Sequence, residues 1–369
     1  MARAGLGSHW SCLFANDIDP KKAAAYADNW GSRELQVCDV ADLCADTLPG
    51  KAELAWASFP CQDLSLAGVG AGLRGERSST FWPFWSLIQK LAAQGRAPSV
   101  VVLENVCGAL TSHGGKDFAA IGDAIAGTGY RFGALIIDAA RFVPQSRPRL
   151  FVVAVRDDLT VPVSLKSDDA EAGPRRDALI KAHAALRPHA RDKWIWWRLP
   201  LPGRRPAPLS DLVEDEPSGV RWHSPEDTGR LLSMMTPVNL DKVRKVQALR
   251  RKIVGCVYRR TRPDGKGGKT QRAEVRFDDV AGCLRTPAGG SSRQTILIVE
   301  GDTIRSRLLS PREAARLMGL PDEYRLPQRY NDAYHLLGDG VAVPVVRHLA
   351  AHILEPVLEA KEIKTGEAA

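Results

Sequence analysis

The chain carries seven cysteines and no Cys-x-x-Cys pair among them. An odd number without paired spacing argues against a disulfide framework and against a zinc ribbon. No uninterrupted apolar run approaches the roughly 20 residues that a membrane-spanning helix needs. The first residues lack the apolar core of a signal peptide. Both absences point to a cytoplasmic chain with no membrane partner. No Gly-x-Gly-x-x-Gly turn is present, which removes the mark of a dinucleotide-binding oxidoreductase. Internal repeats are missing as well.

What is there is an ordinary globular composition: 369 residues, 44% hydrophobic and 25% charged. That length holds one large domain or two medium ones. Lys and Arg number 51 against 43 Asp and Glu, a formal charge of +8 that favours a polyanionic partner. The first half alternates strand-like and helix-like segments, as a doubly wound sheet requires. Strands are expected at Leu13 to Asn16, Glu34 to Val37, Leu54 to Ser58, Ser99 to Leu103, Arg131 to Ile137 and Arg149 to Val155. Pro20 marks a helix start, where its missing N–H costs nothing. From about residue 157 the alternation stops and proline and basic clusters take over. The Trp194-Ile195-Trp196-Trp197-Arg198 stretch reads as the aromatic core patch of a small domain. Regularity resumes at Leu309-Ser310-Pro311, a serine N-cap with proline in the first turn.

Three signals sit at strand ends. Phe59-Pro60-Cys61-Gln62 places a cysteine just after the apolar run Leu54-Ala55-Trp56-Ala57-Ser58. Leu103-Glu104-Asn105-Val106 closes a second run, and Gln145-Ser146-Arg147-Pro148-Arg149 opens a third. In open α/β sheets, ligands bind in the crevice beyond the carboxyl ends of the strands. In order and spacing the three resemble the bacterial DNA (cytosine-5) methyltransferases, over most of residues 1–156 and 285–350.

The resemblance implies an α/β fold: the Rossmann-like sheet of S-adenosylmethionine-dependent methyltransferases plus a smaller, irregular target-recognition domain. Residues 1–156 would form the catalytic and cofactor-binding domain, 157–300 the target-recognition domain, and 301–369 a return to the first with a charged tail. Cytosine carbon 5 is a poor nucleophile, and a thiolate added at carbon 6 turns the ring into an enamine. Cys61 resembles that nucleophile; a free thiol is only a few per cent thiolate near neutrality, and cations nearby raise the fraction. Glu104 resembles the carboxyl group that contacts N3, and a proton-donating role there is helped by burial. Arg147 and Arg149 resemble the supports of the flipped base.

Asp17, Ile18, Asp39, Val40, Pro60, Asp339 and Val341 resemble contacts to the S-adenosylmethionine donor. Gln62, Ser65, Arg285, Ser291, Ser292, Arg293 and Gln294 resemble contacts to double-stranded DNA. No metal is implied. A cognate restriction endonuclease, a monomeric state and a place on the bacterial nucleoid go with the family. Taken singly, Cys61 reads as a small buried residue, Glu104 as a capping or salt-bridge carboxylate, the arginines as surface charges and each aspartate as a loop residue. The pattern carries the assignment.

Two departures stand against it. Asp339 replaces the family's asparagine in Gly338-Asp339-Gly340-Val341. Family members also open with a strand and a Phe-x-Gly-x-Gly turn, whereas Met1 to Leu6 matches the helix after that turn. With that first strand missing, the strands ending at Asn16 and Ser58 are each expected to lose a ladder partner. An unpaired buried polar group costs about 1–3 kcal/mol, against a total stability of about 5–15 kcal/mol. The expectation is a chain that begins upstream of Met1, or a form defective in donor binding. Two other readings stay open: a truncated, non-catalytic DNA-binding homologue, and an RNA cytosine-5 methyltransferase. The long 157–300 insert favours a DNA reader over the latter.

Overall fold

The computed structural model describes residues 1–59, 80–170, 176–203, 207–263, 268–286 and 293–367. Two compact units divide them. An α/β unit takes Leu6–Ile137, Pro148–Leu201 and Arg347–Ala369; a β-rich unit takes Met1–Gly5, Asp138–Arg147 and Pro202–Val346.

The α/β unit begins with strands β1 (Ala15–Asp17) and β2 (Leu35–Val37), paired in parallel. The helix Pro20–Trp30 joins them. Asp19 caps it by accepting the N–H of Lys21, and Gly31 ends it at φ 81°, a conformation that suits glycine. Strands β3 (Leu54–Ser58), β4 (Val100–Val106), β5 (Tyr130–Asp138) and β6 (Pro148–Arg156) form a second sheet in the order β3-β4-β6-β5. β3 runs parallel to β4, and β6 antiparallel to it. Val100 to Leu103 are at most 2% exposed, which explains a strand apolar on both faces. Helices Phe81–Ala93 and Lys116–Gly127 supply the packing. Trp85 and Phe118 are each 1% exposed, and the Trp85 indole N–H donates to the Ala124 carbonyl at 3.1 Å. Full burial of one such side chain contributes about 1.5–3 kcal/mol.

The β1–β2 pair and the β3-containing sheet are separate. Among the described residues β1 and β3 share no ladder.

The boundary expected after residue 156 lies instead at 201. Strands β7 (Lys166–Ser167) and β8 (Trp196–Trp197) pair with each other. Trp194 lies edge-on to Phe118 and Phe132, and the absence of a side chain at Gly133 admits the Ile195 carbonyl. The tryptophan stretch is thus an aromatic core patch, but it belongs to the α/β unit.

The β-rich unit holds β9 (Ile253–Pro263), β10 (Lys269–Arg276), β11 (Thr295–Glu300) and β12 (Thr303–Leu308). These form an antiparallel sheet in the order β10-β9-β11-β12. Helices Pro225–Ser233 and Pro237–Gln247 close one core through Leu231, Met235, Val243, Val257, Val275 and Leu297. So the stretch without βα alternation holds an antiparallel sheet. Helix Pro311–Leu317 starts with a full capping box between Ser310 and Glu313. Residues 301–346 therefore belong to this unit, not to the α/β unit as expected.

One helical stretch, Tyr330–Lys361, matches a membrane span by length and hydropathy. Its Val346, Leu349, Ile353, Leu354 and Val357 are 0% exposed, so this apolar stripe is protein core.

Candidate active site

Parallel pairing of β3 with β4 puts Ser58 directly beside Glu104. On the other side of β4, Glu104 lies opposite Phe151 and Val106 opposite Arg149. Opposed residues of an antiparallel pair share a face, so Glu104 and Arg149 are diagonal neighbours. Arg149 Nε stands 3.4 Å from Glu104 Oε1, with both side chains largely buried. A carboxylate at that depth needs a partner, and β6 provides one.

The next residue on β4 was given no role in the sequence reading. Asn105 is 6% exposed, and its Nδ2 donates to the Phe59 carbonyl at 3.0 Å. Its Oδ1 accepts the N–H of Val106 at 2.8 Å. Phe59 is 8% exposed, and its ring packs on Phe81 at 5.8 Å. Asn105 thus fixes the last described residue before Pro60 and Cys61. A polar residue amid an apolar strand was the available signal. Pro60, Cys61, Gln62 and Ser65 themselves lie outside the described residues, as do Ser291 and Ser292.

The two arginines of the third signal diverge. Arg149 serves Glu104. Arg147 is 2% exposed within the β-rich unit, and its guanidinium donates to three backbone carbonyls: Leu284 at 2.8 Å, Gly338 at 2.7 Å and Gly340 at 2.6 Å.

Asp17 ends β1 opposite Val37, and Asp39 lies two residues beyond the end of β2. Asn16 Nδ2 donates to the carbonyls of Gln36 and Cys38, which holds these ends in register. Asp17 accepts the N–H of Asp19, and Asp39 caps the turn Val40–Asp42. Each has an oxygen in use locally, as a loop residue would. Ile18 is 63% exposed beside Asp17, while Val40 packs against Leu43 and Leu87. In the β-rich unit Asp339 is exposed at the end of helix Tyr330–Asp339, and Val341 is 4% exposed.

Of the residues expected to face DNA, Arg285 is exposed. Arg293 donates to Asn331 at 2.5 Å and stacks over Tyr330. Gln294 departs from the expectation. It is 5% exposed, and its Oε1 accepts from Cys256 Sγ while its backbone N–H donates to Tyr334. Burial pushes the Cys256 thiol up to about 11, so it stays a neutral donor. Gln294 is a packing residue here. Among the described residues no group of three or more His, Cys, Asp or Glu is placed to hold a metal ion.

The family model described as C-5 cytosine-specific DNA methylase matches residues 1–355. The type II methyltransferase M.HhaI of Haemophilus parahaemolyticus is 25% identical over 344 residues, covering 93% of this chain and 87% of its own. The type II methyltransferase M.DsaV of Dactylococcopsis salina is also 25% identical, over 93% and 79%. Among solved structures, the Dnmt2 methyltransferase of S. pombe superposes with a TM-score of 0.55 at 18% identity, over 94% of this chain and 92% of that one, a likeness of fold.

Proposed function

We propose that this chain, which belongs to the C-5 cytosine-specific DNA methylase family, methylates carbon 5 of a cytosine flipped out of double-stranded DNA at one short sequence. The observation that carries the reading is the β3–β4 register. Ser58, the last residue of β3, lies beside Glu104, and Asn105 holds the Phe59 carbonyl, which supports a reading in which Cys61 acts with Glu104.

The residues present fit a nucleoside-bearing donor. Two carboxylates end adjacent parallel strands, with an apolar side chain left in solvent between them in sequence. Asp17, Ile18, Asp39, Val40 and Pro60 would hold S-adenosylmethionine. When bound, it supplies an electrophilic methyl group. Within the chain, the Cys61 thiolate forms a bond to carbon 6, and the electron pair of the 5,6 double bond moves toward carbon 5. Glu104 donates a proton at N3 as charge gathers on the ring. Arg149, 3.4 Å away, orients the Glu104 carboxyl group. Once the methyl is in place, solvent water takes the carbon 5 proton, Glu104 takes back the N3 proton and the sulfur departs as thiolate, restoring the aromatic ring. Flipping the base costs a few kcal/mol, which phosphate contacts to this +8 chain help offset. Arg285 and Arg293 are the described residues we assign to DNA.

A monomer acting on the bacterial nucleoid, with an endonuclease that cuts at the same motif, completes the reading. The test is base-resolution mapping of 5-methylcytosine in a methylation-free bacterial host expressing the chain, with Cys61→Ala as control. Methylation at one motif, absent in the control, is the expected result. Unmethylated DNA beside methylated RNA would move the reading to an RNA substrate, and neither product would sink it.

A further inference from the structure

Four strands edge the two four-stranded sheets: β10, β12, β5 and β3. The first three are guarded. β10 carries Lys269, Arg272 and Arg276, and its Ala273 N–H donates to the Met234 carbonyl at 3.0 Å. β12 is crossed by His223, whose N–H donates to the Ser306 carbonyl at 2.9 Å. β5 exchanges two bonds with a passing segment: the Phe132 N–H donates to the Lys193 carbonyl, and the Ile195 N–H donates to the Phe132 carbonyl. Native edge strands are blunted by charge or by cover because a bare one pairs with other chains. β3 is not blunted. Its residues Leu54-Ala55-Trp56-Ala57-Ser58 include no charge and no proline, and among the described residues it pairs only with β4.

β1 also has a bare edge, since among the described residues it pairs only with β2. Helix Phe81–Ala93 touches both ladders. Its Phe81, Trp85 and Ile88 pack with Ala55 and Ala57 of β3, whereas Leu87 and Leu91 pack with Phe14 and Cys38, which flank β1 and β2. Among the described residues helix Pro20–Trp30 joins neither cluster, which puts it on the opposite face of the β1–β2 pair. Crossovers between parallel strands are right-handed. With the two helices on opposite faces, that rule turns β2 away from β3 and points the bare edge of β1 toward the bare edge of β3. A helix with its side chains is about 10–12 Å across, close to the roughly 9.5 Å that one extra strand needs between two neighbours.

We propose that the gap between β1 and β3 takes an extended, apolar strand supplied by a different polypeptide. Two facing rows of backbone groups are satisfied together only by another strand. Strands buried on both faces are near-continuous apolar runs, as Val100 to Leu103 are here, so the partner segment is rich in valine, isoleucine and leucine. Among the described residues a second copy of this chain could offer only another bare edge, and edge-to-edge pairing leaves the gap unfilled.

The probe is the synthetic peptide acetyl-Lys-Val-Ile-Val-Leu-Phe-Lys-amide, whose five apolar residues match the five of β3. Hydrogen exchange on the full chain, with and without the peptide, follows β1, β3 and β11 separately. Bound peptide should slow the unladdered amides of both β1 and β3 by about tenfold or more, with β11 unchanged. Methylating every second backbone nitrogen of the peptide strips one row of its donors, and should weaken its binding by about tenfold or more. Binding that survives methylation would be apolar adhesion without pairing, and overturns the proposal. So does protection of β3 alone, or of neither strand. If both strands are already protected without peptide in a self-associated chain, a second copy fills the gap and the proposal fails.

Discussion

In the β-rich unit, β9 and β11 each have neighbours on both sides. Val254, Cys256, Val257 and Ile296 through Val299 are 7% exposed or less. Among the described residues, β3 is an edge strand of the α/β unit's sheet, as β10 and β12 are of the other. Leu54 through Ala57 are all partly exposed and Ser58 fully so, although the strand beside them is buried. The β1–β2 pair stands as a separate ladder, with Leu13 46%, Ile18 63% and Val37 50% exposed. A strand bonded on one side carries a row of backbone groups without ladder partners along the other. The two sheets therefore hold their strength in different places. Both are open four-stranded sheets, one backed by the buried pair of Arg307 and Glu313, the other by the helices that cover β4 and β6.

The sharpest way to break the stronger side is at Glu313. It and Arg307 are each 0% exposed, and they form a two-pronged pair at 2.6 and 2.8 Å. Glu313 also accepts the N–H groups of Ser310 and Glu214. Replacing Glu313 by alanine leaves a buried cation and two amides unserved, and should cost about 3–5 kcal/mol. Calorimetry should show a large fall in Tm, and Glu313→Gln a smaller one. An unchanged Tm in Glu313→Ala would refute this role of the buried pair.

Asn105 is the corresponding point in the α/β unit. Asn105→Ala strips the donor from the buried Phe59 carbonyl and the acceptor from the Val106 N–H. We expect a loss of about 1–3 kcal/mol, with single-turnover methylation falling by more than that loss predicts. Activity that tracks stability alone would reduce Asn105 to a packing residue.

The same contrast shows what could be read from the sequence. β3 appears in the structure with the expected bounds, because its apolar run ends at a proline. The separation of β1 from β3 was legible too, since Met1 to Leu6 reads and folds as a helix and not as a strand. Long-range polar choices were not legible. Arg147 and Arg149 look equivalent in sequence, yet one fills a pocket of carbonyls from residues 284, 338 and 340 while the other meets Glu104. Gln294 looked exposed in a glycine- and serine-rich loop, but Cys256 and Tyr334 draw it inward. The compact units divide at 201 and not near 156, and three tryptophans read the same in either unit. Only Phe118, Phe132 and Gly133, far away in sequence, settle which unit they fill.

Hydrogen exchange compares the two sheets directly. Amides of β3 should exchange at least about tenfold faster than those of β11, a gap of about 1.4 kcal/mol in local opening. Equal protection would mean that the edge at β3 is not a weak point.

The smallest effect concerns how the weaker sheet is tied at its other end. Glu53, just before β3, accepts from Lys361 at 2.8 and 2.9 Å and from Ser99, just before β4, at 2.5 Å. Burial raises the Glu53 carboxyl, but the bonds from Lys361 and Ser99 together outweigh it, and its pKa lies below the ordinary value. A depressed folded pKa makes the unfolded chain the stronger proton binder. The stabilisation is therefore complete above the ordinary glutamate range and fades as pH falls through and below it. The Glu53 side chain is 49% exposed, so the tie contributes well under about 1 kcal/mol. Acidification should loosen helix Glu355–Glu367, seen as faster amide exchange there. Glu53→Gln should flatten this acid response and leave exchange near neutrality only slightly faster. An acid response that survives the substitution would assign it to other carboxylates.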